Sequence, residues 1–274
     1  MRILLSNDDS INAEGLMQAA TALHSVGEVF VVAPDRNQSG IGTATTLHNP
    51  IRATKVSPIL KGVTSYAVEG TPADSVILAL DHLVDSPVDL VVAGINHGAN
   101  LGEDVLLSGT VGAALQGYFR NIPSIAISVA SLTDLEFGPA VKLLRALATN
   151  IKAWAEAAPI QHVALDGKLN KYVPLLNINL PNLPMDQVKG ITLTHLARRA
   201  YKDSLNVDQS ASSKQYWIRR NVPNTEWSPD SDSHAINNGE VSITPLTTDL
   251  TDALSFQYCN PLCQTLEQSL FKGA

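Results

Sequence analysis

Apolar residues come in short unbroken runs over the first half of the chain, and between the runs they recur at helical spacing. Ile3, Leu4 and Leu5 form a run of the kind buried on both faces of a parallel sheet. Leu16, Ala19, Ala20 and Leu23 share one helical face, and Gly27 is placed to end that helix. EVFVVAP (28–34) reads as the next strand. Thr71, Pro72 and Asp74 have the order of an N-cap, a first-turn proline and a capping acid, ahead of a helix with Val76, Leu80, Leu83 and Val84 on one face. DLVVAGIN (89–96) and PSIAIS (123–128) are buried strands, with SGTVGAALQGYF (108–119) turning from cap residues into a helix between them. Alternating strands and helices predict an α/β fold, a doubly wound, mostly parallel sheet in three Rossmann-like layers.

The alternation weakens after about residue 130. A long helix is expected near 134–157, strands at LLNINL (175–180) and ITLTHL (191–196), then a polar, irregular stretch over about 203–240 that contains YWIRR (216–220). Such a segment is a loop, a protruding hairpin or an oligomer contact. VSITP (241–245) returns to the sheet, and a terminal helix carries Leu262, Leu266 and Leu270. Without a repeat, a low-complexity tract or a linker, residues 1–274 are expected to form one domain, with a core of about 1–130 and a C-terminal extension of about 175–274.

Composition narrows the partners. A hydrophobic fraction of 45% over 274 residues supports a full core. The net charge of −7 argues against a broad surface for nucleic acid or anionic membrane, so an anionic ligand needs local help. No apolar run approaches ~18 residues and no leader-like segment opens the chain, so a soluble, cytoplasmic protein is expected. The two cysteines, Cys259 and Cys263, read as free, partly buried thiols on the terminal helix, too few for a disulfide framework.

In an open α/β sheet, ligands bind beyond the carboxyl ends of the strands, where residues far apart in sequence converge. Four segments qualify: Asn7-Asp8-Asp9-Ser10, Pro34 to Gly40, Gly94 to Gly98, and Ser108-Gly109-Thr110. They supply carboxylate, amide and hydroxyl oxygens and no thiol, a donor set that suits Mg²⁺ or Mn²⁺ better than Zn²⁺. Side chains alternate along a strand, so Asp8 and Asp9 can share an ion only where the strand has ended. Alone, the pair is more simply a helix cap with a solvated neighbour. Ser108-Gly109-Thr110 ahead of a helix is an anion site for phosphate, although glycine-rich stretches also serve as tight turns, and neither the lysine of a nucleoside-triphosphate loop nor GxGxxG spacing is present.

In order and spacing, RILLSNDD, VVAPDRNQSG, EGTPADSV, VAGINHGANLGEDV, SGTVGAA and late SITPL with DLTD resemble the survival protein SurE family of metal-dependent nucleotidases. The resemblance covers nearly the whole chain and is weaker through THLARRAY (194–201) and YWI (216–218). It implies that Asp8, Asp9, Ser39 and Asn96 ligate one divalent metal ion per subunit. Ser108, Gly109 and Thr110 would hold the phosphate with Asn96 near both, and Asp8, Asp9 and Asn96 would carry catalysis. The implied activity removes phosphate from nucleoside 5′-monophosphates, often from 3′-monophosphates, and in some members shortens polyphosphate. The implied assembly is a homodimer or homotetramer built through exchanged C-terminal elements, here about 203–274. The chain departs from the family pattern at Ser10 and Ala197, where glycine is usual, at Thr43, where asparagine is common, and at His97; 159–173 resembles an insertion.

The expected reaction is in-line displacement at phosphorus by water, with Asp8 or Asp9 orienting or deprotonating the water and the Ser108–Thr110 turn steadying the equatorial oxygens. His97 is able to act as general acid or is a solvent-facing loop residue, the second being favoured. Arg36 reaches the phosphate or pairs with Asp35. Tyr216, Trp217, Arg219 and Arg220 are assigned to subunit contact ahead of base contact. The competing readings are a receiver-like signalling module, an aspartyl-phosphate enzyme and a metal- and nucleotide-binding sensor without turnover.

Overall fold

The computed structural model describes residues 1–157, 161–163, 169–198, 202–208, 215–221 and 226–272. The chain begins with β1 (Arg2–Ser6), α1 (Glu14–His24) and β2 (Glu28–Pro34), a parallel strand–helix–strand unit whose helix buries Leu16, Ala19, Ala20 and Leu23 as the spacing predicts. Two short strands that the hydrophobic pattern does not announce follow, β3 (Ala53–Lys55) and β4 (Thr64–Val68). In β4 only Ser65 and Val68 are buried, so a half-covered strand near the sheet edge lacks the continuous apolar run of a central one.

Helix α2 (Pro72–Leu78) starts on a full capping box: the Thr71 hydroxyl accepts from the Asp74 N–H while the Asp74 carboxylate accepts from the Thr71 N–H. Strand β5 (Leu90–His97), helix α3 (Gly109–Tyr118), strand β6 (Ser124–Val129) and helix α4 (Phe137–Ala157) complete the alternation. Beyond them lie the small hairpin β7 (Gln161–Val163) and β8 (Leu169–Lys171), then β9 (Leu175–Leu180) and β10 (Ile191–Leu193). A second hairpin, β11 (Lys202–Asp208) with β12 (Gln215–Asn221), precedes α5 (Asp232–Asn237), β13 (Val241–Pro245) and α6 (Phe256–Glu267). The insertion reading of 159–173 and the ARRAY end of THLARRAY fall partly outside the described residues, as do the side chains of Arg219 and Arg220.

Nine strands form one sheet in the order β10-β13-β9-β6-β5-β1-β2-β4-β3, parallel except where β13 meets β9 and β3 meets β4. Alternate residues of β1 face opposite layers. Ile3 and Leu5 join α1 and the Leu144, Ala148 and Ile151 face of α4, while Leu4 joins Val76 of α2 and Val111, Ala113 and Ala114 of α3. Burying these side chains contributes roughly 2 kcal/mol apiece for the larger ones.

Two expectations change and a third is narrowed. The 191–196 strand stops at Leu193: the Thr194 N–H still donates to the Ile243 carbonyl of β13 at 3.0 Å, but from His195 the backbone pairs with residues 230–232 instead, bridging to Ser231. Of the readings open for the polar 203–240 stretch, the hairpin is present as β11–β12, and α5 adds a short helix that the pattern did not announce. Cys259 and Cys263 are exposed rather than partly buried, since every residue of α6 is exposed. No helix among the described residues is long and apolar enough to cross a membrane.

Candidate active site

Strand order reverses at β1, with β2 and β4 added on one side and β5, β6 and β9 on the other. A crevice must open beyond the carboxyl ends of β1 and β5 at this switch point. Strand β1 ends at Ser6, so Asp8 and Asp9 lie in the turn beyond it and are free of strand alternation. The turn is held by the Asn7 amide, which donates to the Ser10 carbonyl at 2.9 Å, and it places Ser10 at φ 105°, a region that L side chains rarely adopt.

Asp8 is 3% exposed. Its backbone carbonyl accepts from the Gln38 N–H at 2.7 Å, and its Oδ1 accepts from the Thr110 hydroxyl at 2.5 Å. The amino end of α3 comes this close because residue 109 is glycine. A Cβ there would lie 2.9 Å from the Asp8 Cβ and 3.0 Å from its Oδ2. Asp9 is fixed from two other segments, its Oδ2 accepting from the His97 N–H at 3.1 Å and its Oδ1 from the Asn37 amide at 3.3 Å.

The pairing of β5 with β6 shifts register between Ala93 and Asn96, an irregularity that re-aims the side chains leaving the strand. The Asn96 amide nitrogen donates to the Gly98 carbonyl at 2.7 Å, which turns its other atom, the oxygen a hard cation would take, away from that bond. Ser108 caps α3, its hydroxyl accepting from the Val111 N–H at 3.1 Å. Asp8, Ser39, Asn96 and Ser108 line one cavity of about 720 Å³, with His97, Gly98 and Asn100 beside them. Thr110 is fully buried with its hydroxyl on Asp8, so of the three residues at the amino end of α3 it is Ser108 that faces the cavity.

Burial raises the Asp8 carboxyl from 3.8 to about 6; the neighbouring Asp9 charge adds to the rise and the Thr110 hydroxyl opposes it. Among the described residues no lysine or arginine pairs with either carboxylate. A buried carboxylate beside a second one, without a protein cation, fits a divalent ion. No group of three His, Cys, Asp or Glu side chains occurs among the described residues. The donors at hand are therefore two carboxylates, an amide and a hydroxyl, all hard oxygens of the kind Mg²⁺ and Mn²⁺ take.

His97 is not the solvent-facing residue expected. Its ring packs against Phe137 with centroids 5.8 Å apart, and its Nε2 is buried without a hydrogen-bond partner among the described residues. Arg36 is exposed and makes no ion pair with Asp35 among the described residues.

Sequence reasoning missed the residues that hold the loop after β5. The Asn100 N–H donates to Asn179 Oδ1 at 2.8 Å, its amide to the Ser128 hydroxyl at 3.0 Å, and its carbonyl accepts from Asn177 and Asn179. Buried Asp232 accepts from the Gly102 N–H at 2.8 Å and the Ala197 N–H at 2.9 Å. The signal was the repeated asparagine of LLNINL, two amides inside a fully buried strand that required partners.

The model of the family described as Survival protein SurE matches residues 3–203. A 5′-nucleotidase SurE from Dehalococcoides mccartyi is 44% identical over 248 residues, covering 90% of this chain and 88% of that protein. One from Gloeobacter violaceus is 43% identical and covers 92% of this chain and 91% of its own length. Among solved structures, the SurE protein from Aquifex aeolicus superimposes with a TM-score of 0.77 at 34% identity, covering 96% of this chain and 99% of that one.

Proposed function

The chain belongs to the survival protein SurE family, and on that premise we propose that it is a divalent-metal-dependent phosphatase that converts nucleoside 5′-monophosphates to nucleoside and phosphate. The observation that carries this reading is the junction of Asp8 with the start of α3. There a buried carboxylate that meets no cation among the described residues and a helix amino terminus come together at one cavity. Cation and phosphate have complementary seats within the same few residues.

Asp8, Asp9, Ser39 and Asn96 are assigned to the cation. When bound it supplies Lewis acidity and charge neutralisation for attack of water on phosphorus. The amino end of α3, open to the cavity at Ser108, is assigned to the phosphate oxygens together with Asn96. Asp9, held by His97 and Asn37, orients the attacking water and accepts its proton. Thr110 is a positioning residue: its hydroxyl fixes the Asp8 carboxylate and leaves Oδ2 for the ion.

Nucleoside 3′-monophosphates fit the same reading, because the phosphate end asks only for a monoester; short polyphosphate is the further substrate to try. We also assign the chain to a homodimer or homotetramer through the β11–β12 hairpin and α6, on the strength of the exposed Leu205, Tyr216, Trp217, Leu262 and Leu266. The test is phosphate release from 5′- and 3′-nucleoside monophosphates and short polyphosphate, with Mg²⁺, with Mn²⁺ and after chelation. Turnover of monophosphates that chelation abolishes is expected; undiminished turnover in chelator would end the metal-dependent reading.

A further inference from the structure

The switch-point cavity has an end that phosphate chemistry leaves without a role. Leu132 after β6, Ile218 on β12, Trp227 ahead of α5 and Ile236 within α5 bring apolar side chains to it from four segments. Leu132 and Ile218 are 77% and 71% exposed, so neither is spent on the core. A phosphate and its ion fill a small part of about 720 Å³, a volume that suits a small organic ligand. The indole nitrogen of Trp227 is buried and has no hydrogen-bond partner among the described residues, so what the ring presents to the cavity is carbon, a stacking surface rather than a donor.

We propose that Trp227, flanked by Leu132 and Ile218, is the wall on which the base of the substrate stacks. The proposal rests on the nucleotidase reading and adds a residue that selects nucleotides over simpler phosphate esters. A π-face is common to all bases, so this wall favours a flat, uncharged heteroaromatic group while discriminating weakly among bases. Asn237, on the rim of the same cavity, supplies the amide that any finer choice would use.

Two measurements test it. In the first, adenosine, which has no phosphate, is titrated against tryptophan emission in wild type and Trp227→Phe. In the second, kcat/KM is compared for AMP and ribose 5-phosphate in wild type, Trp227→Ala, Trp227→Phe and Leu132→Asp. Saturable quenching is expected in wild type and not in Trp227→Phe, where Trp154 and Trp217 remain as emitters. The AMP to ribose 5-phosphate ratio is expected to fall about tenfold in Trp227→Ala, through KM, with partial recovery in Trp227→Phe. Leu132→Asp, a change at an exposed side chain that spares the fold, lowers the same ratio by a smaller factor. An unchanged ratio in Trp227→Ala and Leu132→Asp, or quenching that survives in Trp227→Phe, overturns the proposal. If the wild type hydrolyses neither ester, the nucleotidase reading fails, and the adenosine titration then decides alone: Trp227-dependent binding upholds the wall and its absence overturns it.

Discussion

At the end of β1, Asp8 and Asp9 meet hydrogen-bond donors from α3, from β5 and from the loop after β2, all within the chain. Along β12 and α6, by contrast, Tyr216, Trp217, Ile218, Leu262 and Leu266 stand open to solvent. The first region is specified by contacts between residues as much as 102 positions apart, and among the described residues neither of its carboxylates meets a positive charge. The second region meets the demands of its own backbone and leaves apolar area uncovered. On α6, Phe256, Cys259, Leu262, Cys263 and Leu266 share one face, which leaves a stripe facing outward. A small cation would be enough to complete the first region, whereas the second would need a surface of comparable size.

Removing the demand for charge gives the largest effect expected. Asp8→Asn keeps the shape of the side chain and deletes the ligand, so turnover of AMP should fall by about a thousandfold or more, and calorimetry should register no heat of Mn²⁺ binding. Because the neutral amide no longer carries a desolvated charge, the variant should fold as stably as wild type without metal. Wild-type turnover in Asp8→Asn would show that the cation, if any, sits elsewhere.

Covering the second region is tested next. Leu262→Asp with Leu266→Asp puts two charges on the α6 stripe and should weaken self-association by about a hundredfold, seen as a fall in sedimenting mass towards 29.2 kDa. Neither residue is buried in the single chain, so its own core should keep its far-UV circular dichroism. An unchanged mass would mean that the stripe does not hold subunits together.

The contrast between the regions also explains what could be read from the chain. Strand ends are visible as the points where apolar runs stop, so the four segments that gather at the switch point could be found from hydrophobic pattern and the geometry of open sheets. What they touch could not. That Thr110 spends its hydroxyl on Asp8, that Asn177 and Asn179, whose buried strand announces only that they need partners, find one in Asn100, and that Asp232 holds Gly102 are facts of tertiary approach. Strands β3 and β4 were illegible for a different reason: three and five residues, half polar, carry too few apolar positions to show a period. His97 was misread because a strand-end histidine looks like a surface residue until Phe137, from the start of α4, is placed against it.

The unmet charge predicts a pH dependence of moderate size. Folded Asp8 holds its proton more tightly than the unfolded chain does, its carboxyl being raised by burial from 3.8 to about 6. Over that interval the folded state therefore carries more protons, and stability from this group falls as pH rises. The change is on the order of 2–3 kcal/mol between pH 4 and 7. Chelated protein should melt at a higher temperature near pH 5 than near pH 7, once the same pair of melts in Asp8→Asn is subtracted. Mn²⁺ should raise the pH 7 melt most, because it stabilises the ionised form. A metal-free difference of the opposite sign would mean that Asp8 has a cationic partner after all.

The smallest effect sharpens the first region from inside its turn. Ser10 sits at φ 105°, where a Cβ is strained and glycine is not, and the Asn7 amide holds the turn in that shape through the Ser10 carbonyl. Replacing Ser10 by Gly removes the strain and also loosens the unfolded chain, two effects of opposite sign. Strain at such a φ costs about 1–3 kcal/mol, against roughly 0.5–1 kcal/mol for the added freedom, so strain relief should win by about 1 kcal/mol. The Ser10 hydroxyl offers little to set against this, since its bond from the Asn12 N–H is long at 3.4 Å and exposed. Ser10→Gly should therefore raise the denaturant midpoint slightly in metal-free protein. A lower midpoint would mean that the serine side chain stabilises the turn by more than its backbone strain costs, and that Asp8 and Asp9 are held in place by Ser10 rather than despite it.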